Sequence, residues 1–157
     1  MGLTIRPVRA GDAQLLADLV RELGEFSSVT EESPAVTLQR ARQNVGIITS
    51  SDRHTLLVAE DSDQIVAYCS THWQPMMSQH EGFISELFVK SSRRGEGIGT
   101  TLLETIKQEA RARGCGRLHL ENFKTKESYG RSYYTKHGWQ ERSAAASFIL
   151  DLRAEAQ

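Results

Sequence analysis

Apolar positions recur at helical spacing in three stretches of the chain, which predicts three amphipathic helices. The first runs from about Asp12, a suitable N-cap, to Gly24, a suitable residue just past a helix end. The pair Ser33-Pro34 predicts the N-cap and first turn of the second helix. The third ends near Gly114. Their buried faces are predicted to carry, in turn, Leu15, Leu16, Leu19, Val20 and Leu23; Leu38, Ala41, Val45 and Ile48; and Ile98, Leu102, Leu103, Ile106 and Ala110.

Shorter apolar runs between turn-forming residues predict strands. Residues 55–60 and 65–73 have the pattern of a hairpin whose turn is 61–64. Further strands are predicted at 83–89, 117–123, 139–140 and 147–152, with a polar loop at 25–33 and a last helix at 127–137. Helices mixed with strands, around a central hairpin run, predict an α+β fold rather than a doubly wound one.

Composition narrows the class of protein. A length of 157 residues favours a single domain, 1–157, with one core. The 19 lysines and arginines balance 20 acids, so no overall basic field favours nucleic acid. No apolar run approaches the roughly 18 residues that cross a bilayer, and no Cys and His spacing typical of zinc occurs. Cys69 and Cys115 are interpreted as free thiols in a reducing compartment, which predicts a cytoplasmic location.

Alternating glycines stand between the strand 83–89 and the helix that follows it, in Arg94-Gly95-Glu96-Gly97-Ile98-Gly99. The first N–H groups of a helix lack intrahelical partners, and the helix dipole adds positive charge there. Such a helix end suits a pyrophosphate. The spacing fits neither the dinucleotide fingerprint, because position 100 is Thr, nor the Walker loop, because no Gly-Lys pair occurs. The alternative is a tight strand-to-helix connection without a ligand.

The loop at 94–99, placed after the strand ending Leu87-Phe88-Val89, resembles the acyl-coenzyme-A loop of the GNAT superfamily of N-acetyltransferases. Tyr134-Thr135-Lys136-His137-Gly138-Trp139 is similar to the end of that family's last helix, and residues 3–8 resemble its first strand. The resemblance covers nearly the whole chain. It implies a three-layer α/β/α fold with a single mixed, mostly antiparallel sheet, splayed central strands and flanking helices.

The resemblance also implies acetyl-CoA as co-substrate and a set of residues that would bind it. The strand 87–89 would supply backbone groups to the pantetheine arm, and one N–H would polarise the thioester oxygen. Relatives have Asn and Ala where this chain has Glu127 and Gly130, so Asn122 is taken as a substitute contact. The cofactor-binding set is Leu87, Phe88, Val89, Arg94, Gly95, Glu96, Gly97, Ile98, Gly99, Thr100 and Asn122.

Two side chains are candidates for the proton transfers that acetyl transfer requires. The resemblance places the tyrosine that protonates the departing thiolate at Tyr134, and a phenol with a pKa near 10 can donate without being ionised at neutral pH. Glu86 is the candidate base, on a strand face expected to be shared with Ile84 and Phe88. Alternatively, Tyr134 packs in the core and Glu86 faces solvent. Glu81 is a second choice for the base.

We therefore expect an N-acetyltransferase that acts on a small primary amine by direct transfer in a ternary complex. The alternatives are a protein lysine or N-terminal acetyltransferase, a non-catalytic acyl-CoA sensor, and a binder of another nucleotide. Glutamates in segments that border the acceptor site in similar proteins hint at a polyamine or aminoglycoside. The strand at 147–152 would leave a sheet edge, which allows for a homodimer. These glutamates are Glu25, Glu31, Glu32, Glu81 and Glu86.

Overall fold

A computed structural model describes residues 2–155 and divides into two compact units, one ending at Glu121 and the other beginning at Asn122. The prediction of a single domain, 1–157, stays a prediction. In the first unit the strands are β1 (Thr4–Pro7), β2 (His54–Asp61), β3 (Gln64–Pro75), β4 (His80–Val89) and β5 (Arg117–Leu120). Its α-helices are α1 (Ala13–Leu23), α2 (Ser27–Glu31), α3 (Pro34–Thr49) and α4 (Ile98–Ala112). The second unit holds α5 (Glu127–Gly130), α6 (Tyr133–Lys136) and α7 (Leu152–Glu155).

The five strands form one mixed sheet in the order β1-β2-β3-β4-β5. Neighbours are antiparallel except β4 and β5, which run parallel. The hairpin predicted from the sequence is present, and its two central turn residues, Ser62 and Asp63, have φ of 51° and 62°. Left-handed backbone at both positions matches the right-handed twist of the flanking strands. The predicted fold class is confirmed.

Helices cover both faces of this sheet. Side chains at even positions of β2 and, from Tyr68 onward, of β3, such as Val58 and Tyr68, lie on the side of the core formed with α1 and α3. The odd positions face α4, where Thr55 donates a 2.7 Å hydrogen bond to Glu109. Successive side chains of a strand point to opposite faces, so α1 and α3 form one layer and α4 the other.

The predicted helix faces are confirmed. All five apolar positions assigned to α4 are buried, and those assigned to α1 and α3 belong to the core beneath these helices or pack against it. Gly24 ends α1 with a left-handed φ of 63°, and Pro34 begins α3. Apolar periodicity predicts these faces well because burial of that stripe stabilises each helix.

One prediction near the N-terminus was wrong. The segment 25–33 is not wholly a polar loop, because it contains α2, whose Val29 is buried. Asp12 occupies the N-cap position of α1, as predicted, but its side chain makes no capping hydrogen bond to this helix. Its carboxylate accepts two hydrogen bonds from the Arg6 guanidinium, at 2.8 and 2.9 Å, and one from the backbone N–H of Arg9. The Arg6 hydrogen bond is the main cause that lowers the pKa of Asp12, which suits a buried ion pair.

Four predictions near the C-terminus were wrong. The helix predicted at 127–137 is split into α5 and α6, because Ser132 between them adopts a left-handed φ of 57°. The strand predicted to end at 123 ends at Leu120. No strand forms at 139–140 or 147–152 in the described part of the chain, and Phe148 and Ile149 are exposed there. The sheet edge that suggested a homodimer is therefore not formed by this segment.

Candidate active site

The sheet opens between β4 and β5, and that opening is the first component of the site. β5 pairs with β4 only from Glu81 to Ile84. At that end the side chains of Trp73 and Leu118 pack directly on the backbone of Gly82. A Cβ atom at position 82 would overlap both of these side chains. Beyond Ile84, β4 continues to Val89 paired with β3 alone. The second half of β4 therefore presents one backbone edge without a strand partner.

The hydrogen-bond alternation of β3 and β4 shows which backbone groups face this opening. The N–H of Lys90 donates to the carbonyl of Val66 at 2.8 Å, so these two residues form a hydrogen-bonded pair. In an antiparallel ladder such pairs alternate, and Phe88 therefore bonds with Tyr68 on β3. Leu87 and Val89 direct their backbone groups away from β3. The guanidinium Nε of Arg94 donates to the outward carbonyl of Val89 at 3.2 Å.

A β-bulge in β4 decides where Glu86 points. Glu86 pairs with Ser70, but Ile84 pairs with Thr71, so Ser85 is an extra residue in β4. The bulge reverses the inward and outward alternation, which places Glu86 and Phe88 on the face of α1 and α3. Ile84 lies on the α4 face. The expectation that Glu86 shares a face with Phe88 is correct, whereas the expectation for Ile84 is wrong.

The glycine loop leads from β4 into α4 with two residues in the left-handed region. Gly95 has φ of 82° and Gly97, the residue before α4, has φ of 79°. A Cβ at either position would meet no protein atom within 4 Å, so backbone conformation, rather than crowding, requires glycine. The first-turn N–H groups of α4 follow directly, and they are the groups that bind an anion at a helix start.

Acidic partners hold the basic side chains around this loop. Arg93 bonds to Glu96 at 3.0 Å and to Asp61 at 2.9 Å, which holds the one carboxylate of the loop to the side. Lys90 pairs with Glu22 at 3.0 Å. Arg94 is the most exposed of the three cations, and its guanidinium lies 3.8 Å from the carboxylate of Glu25. These ion pairs orient the basic side chains around the loop toward acidic groups of the protein.

A cavity of about 500 Å³ lies between the helices α1, α2 and α3 and the sheet, and Glu86 lines it. The Tyr68 hydroxyl donates a 2.5 Å hydrogen bond to Glu86. Burial, followed by the charge of Glu86, raises the pKa of Tyr68 well above its usual range, so the phenol stays protonated and keeps its role as donor. Tyr68 in turn packs against Phe88, with ring centroids 5.8 Å apart.

Two histidines and a serine continue the polar wall of this cavity. The Nε2 of His54 lies 2.6 Å from the Ser70 hydroxyl, and the rings of His54 and His72 are 4.1 Å apart. Burial, and secondly the neighbouring His72, lowers the pKa of His54 to about 4. His54 is therefore neutral at neutral pH, and it brings no positive charge to the cavity.

Sequence reasoning missed Tyr68, Ser70 and His54 as components of the cavity. The turn at 61–64 alone would pair His54 with Thr71, since Asp61 pairs with Gln64. A second bulge, between Ala59 and Glu60, shifts the register so that His54 pairs with His72. The alternation of side chains along β2 and β3 could have predicted that these residues share one face of the sheet. It could not have predicted the bulge that makes His54 and His72 neighbours.

Glu81, the second choice for the base, is held in an ion pair. Arg117 and Gln79 both donate to one carboxylate oxygen, and the His119 ring lies 3.5 Å from the other. The hydrogen bond from Arg117 is the main cause that lowers the pKa of Glu81 below its usual range. A carboxylate so stabilised is a weak base, which favours Glu86 over Glu81.

The remaining predicted residues, Tyr134 and Asn122, belong to the second unit. Tyr134 lies in α6, and its ring packs edge-on against Tyr133 and Trp139 at centroid distances of 5.1 and 6.0 Å. Its carbonyl accepts the backbone N–H of Trp139 at 3.0 Å, which ties the aromatic residue to the helix end. Asn122 accepts a 3.0 Å hydrogen bond from Ser128. Their roles toward substrate and cofactor stay predictions.

Comparison with known proteins agrees with this geometry. The opened sheet and glycine loop are those of an acyltransferase, and the chain belongs to the Acetyltransferase (GNAT) family, whose model matches residues 16–139. Acetyl-CoA is the co-substrate of this family. An uncharacterized N-acetyltransferase of Archaeoglobus fulgidus is 30% identical over 106 residues, which cover 66% of this chain and 72% of the relative.

Solved structures show the same fold at lower identity. A transcriptional regulator from Bacillus halodurans C-125 superposes with a TM-score of 0.82 at 20% identity, covering 96% of this chain and 100% of the other. Glucosamine-6-phosphate N-acetyltransferase from Arabidopsis thaliana superposes with a TM-score of 0.76 at 22% identity, with the same coverage. The resemblance drawn from the sequence motifs is confirmed.

Residues 2–155 lack two further features, a membrane-spanning helix and a metal-binding cluster. None of the helices described there has the length and apolar character needed to cross a bilayer. The same residues contain no group of three or more His, Cys, Asp or Glu side chains arranged to hold a metal ion.

Proposed function

We propose that this chain transfers the acetyl group of acetyl-CoA to a primary amine of a small molecule, directly, in a ternary complex. The observation that carries the proposal is the cavity of about 500 Å³ that receives Glu86, a size within the usual range of small-molecule sites. The backbone edge of Leu87 and Val89 belongs to the same strand, so acceptor and cofactor would meet along β4.

The cofactor would bind along this edge and at the glycine loop. Leu87 and Val89 offer outward backbone groups to the amides of the pantetheine arm, whereas the backbone of Phe88 is bonded to β3. The pyrophosphate would lie at the start of α4, where N–H groups and the helix dipole favour an anion. Arg94 would turn its exposed guanidinium to the phosphates. The remaining residues of this set are Gly95, Glu96, Gly97, Ile98, Gly99, Thr100 and, from the second unit, Asn122.

The chemistry requires proton transfers at both ends of the reaction. An alkylammonium with a pKa near 10.4 must lose a proton before it attacks, at a cost of about 4–5 kcal/mol at pH 7. Glu86 would take that proton, with its orientation fixed by Tyr68. The nitrogen then bonds to the thioester carbon, and an outward N–H of β4 would stabilise the oxyanion. As the C–S bond breaks, Tyr134 would give its proton to the thiolate. The nitrogen of the tetrahedral intermediate carries one proton more than the amide product, and the loss of that proton would return the Tyr134 phenolate to the neutral phenol.

The alternatives are less well supported. A protein acetyltransferase needs an open groove for a peptide, whereas the cavity here is lined by three helices and the sheet. A non-catalytic acyl-CoA sensor needs no oriented carboxylate, and Glu86 is held by a short hydrogen bond from a buried phenol. A cytoplasmic location stays a prediction, in keeping with Cys69 and Cys115 being free thiols. A homodimer remains untested.

The proposal is tested by thiol release from acetyl-CoA with purified protein and a panel of acceptors. The panel comprises alkylamines, polyamines, aminoglycosides, amino acids and short lysine peptides. Saturable release with a small amine is expected. Release only with peptides would favour the protein acetyltransferase, and tight coenzyme A binding without any release would favour the sensor.

Glu86→Gln should lower kcat/KM by at least about 100-fold and remove the acid limb of its pH profile, because the amide cannot accept the ammonium proton. The measurement is the pH–rate profile with a saturating acyl donor. Glu104→Gln, which removes an exposed carboxylate from α4, is the matched control and should keep the profile. An unaltered acid limb in Glu86→Gln would remove this residue from the proton transfer.

Tyr134→Phe should lower kcat by about 100-fold while the affinity for acetyl-CoA stays within about twofold, because only the proton donor is lost. The adjacent Tyr133→Phe is the matched control, since it removes the same hydroxyl from the same short helix. Steady-state kinetics and calorimetric titration with coenzyme A measure the two quantities. Equal losses in both variants would mean that the phenol of Tyr134 has no special role.

A further inference from the structure

Two of the five glutamates that suggested a polycationic acceptor are already neutralised by arginines. The carboxylate of Glu32 forms a bidentate ion pair with Arg40, at 2.5 and 2.7 Å. Glu81 is paired with Arg117. These two acids have little charge left to attract several ammonium groups of one acceptor.

Glu86 differs from these acids in the partner that the structure gives it. Its hydrogen bond comes from the neutral Tyr68 hydroxyl, so the bond orients the carboxylate without cancelling its charge. The neighbouring His54 is neutral at neutral pH as well, because burial lowers its pKa to about 4. The sheet side of the cavity therefore offers one carboxylate, that of Glu86, beside the neutral His54 and the hydroxyl groups of Tyr68 and Ser70.

The helix side of the cavity is apolar. Leu16 and Val20 come from α1, Ala41 and Ile48 from α3, and Val29 from α2. Phe26, just before α2, completes this wall and packs edge-on against Phe88 at 5.2 Å. An aliphatic or aromatic body of an acceptor would gain free energy from burial here.

Four polar side chains interrupt this otherwise apolar helix side, and none of them is acidic: Ser28, Thr37, Arg40 and Asn44. The Thr37 hydroxyl is bonded to Glu32 at 2.9 Å and to Arg21 at 3.1 Å. Arg40 is the partner of Glu32. Among the described residues that line the helix side, a second ammonium group of an acceptor would therefore find no carboxylate, and it would lie in the same cavity as the Arg40 guanidinium.

We propose that the acceptor is a monoamine with an apolar body, an alkylamine or arylalkylamine, rather than a polyamine or an aminoglycoside. The amine nitrogen lies at Glu86 and the apolar body lies against the helix side of the cavity. This inference rests on the proposed acetyltransferase function and narrows its substrate class.

The test compares two amines that differ in one group. n-Pentylamine and 1,5-diaminopentane have the same chain length, and only the second carries a distal ammonium. With acetyl-CoA as donor, kcat/KM is expected to be at least about tenfold higher for n-pentylamine, since the cavity offers the distal ammonium no second carboxylate and a cationic guanidinium instead. Equal or higher kcat/KM for 1,5-diaminopentane, spermidine or an aminoglycoside would overturn the inference.

A variant with an added carboxylate tests whether this cavity causes the preference for n-pentylamine over 1,5-diaminopentane. Asn44 lines the cavity from α3 and is exposed, so Asn44→Asp adds a carboxylate of the same size with little risk to folding. This variant should raise kcat/KM for 1,5-diaminopentane by about tenfold relative to n-pentylamine. Gln43→Glu adds the same charge to the neighbouring exposed residue, which does not line the cavity, and should leave the ratio unchanged. No change in Asn44→Asp, or equal changes in both variants, would contradict the assignment.

Binding without reaction separates this inference from the proposed function. Calorimetric titration of the protein with each amine, in the presence of coenzyme A, measures affinity for the cavity in a complex that cannot react. Binding of n-pentylamine but not of 1,5-diaminopentane, without any thiol release from acetyl-CoA, would support the inference and refute the proposed function. Turnover that favours 1,5-diaminopentane would support the proposed function and refute the inference about the acceptor.

Discussion

One extra residue in β4, Ser85, is the constraint on which the rest of the site depends. The bulge interrupts the alternation of side chains along β4 just after Ile84, where the pairing of β4 with β5 also ends. It therefore turns the Glu86 side chain into the cavity beneath α1 and α3. The following backbone, at Leu87 and Val89, meanwhile faces the opening of the sheet. A regular strand would have placed the carboxylate on the α4 face, away from this cavity.

Ion pairs hold most of the charged side chains near the site in the first unit. The basic residues near the glycine loop are held by Glu22, Asp61 and Glu96, and the acids Glu32 and Glu81 are held by arginines. Such pairs contribute little stability at an exposed surface, but they fix side chains and lower the local net charge. Glu86 is the carboxylate of the cavity whose hydrogen bond comes from an uncharged group. The proposed chemistry and the proposed monoamine both depend on this difference.

Much of the fold could be predicted from the sequence, because apolar periodicity reports burial directly. The α4 face, the hairpin turn and the helix ends at Gly24 and Pro34 are present as predicted. The strand that contains Glu86 was predicted, but the two β-bulges were not, because no particular residue type marks the position of a bulge. The strands predicted at 139–140 and 147–152 were wrong. An apolar run such as 147–152 becomes a strand only when a partner strand supplies its backbone hydrogen bonds.

Amide hydrogen exchange measures, residue by residue, whether the N–H groups on the open edge of β4 bind the cofactor. NMR spectra of the protein would be compared with and without coenzyme A. Exchange at Leu87 and Val89 should slow by at least about tenfold when the cofactor binds, because their N–H groups gain acceptors. Exchange at Phe88 should stay slow in both states, because its N–H is bonded to β3. Bound coenzyme A without added protection at Leu87 and Val89 would contradict the account.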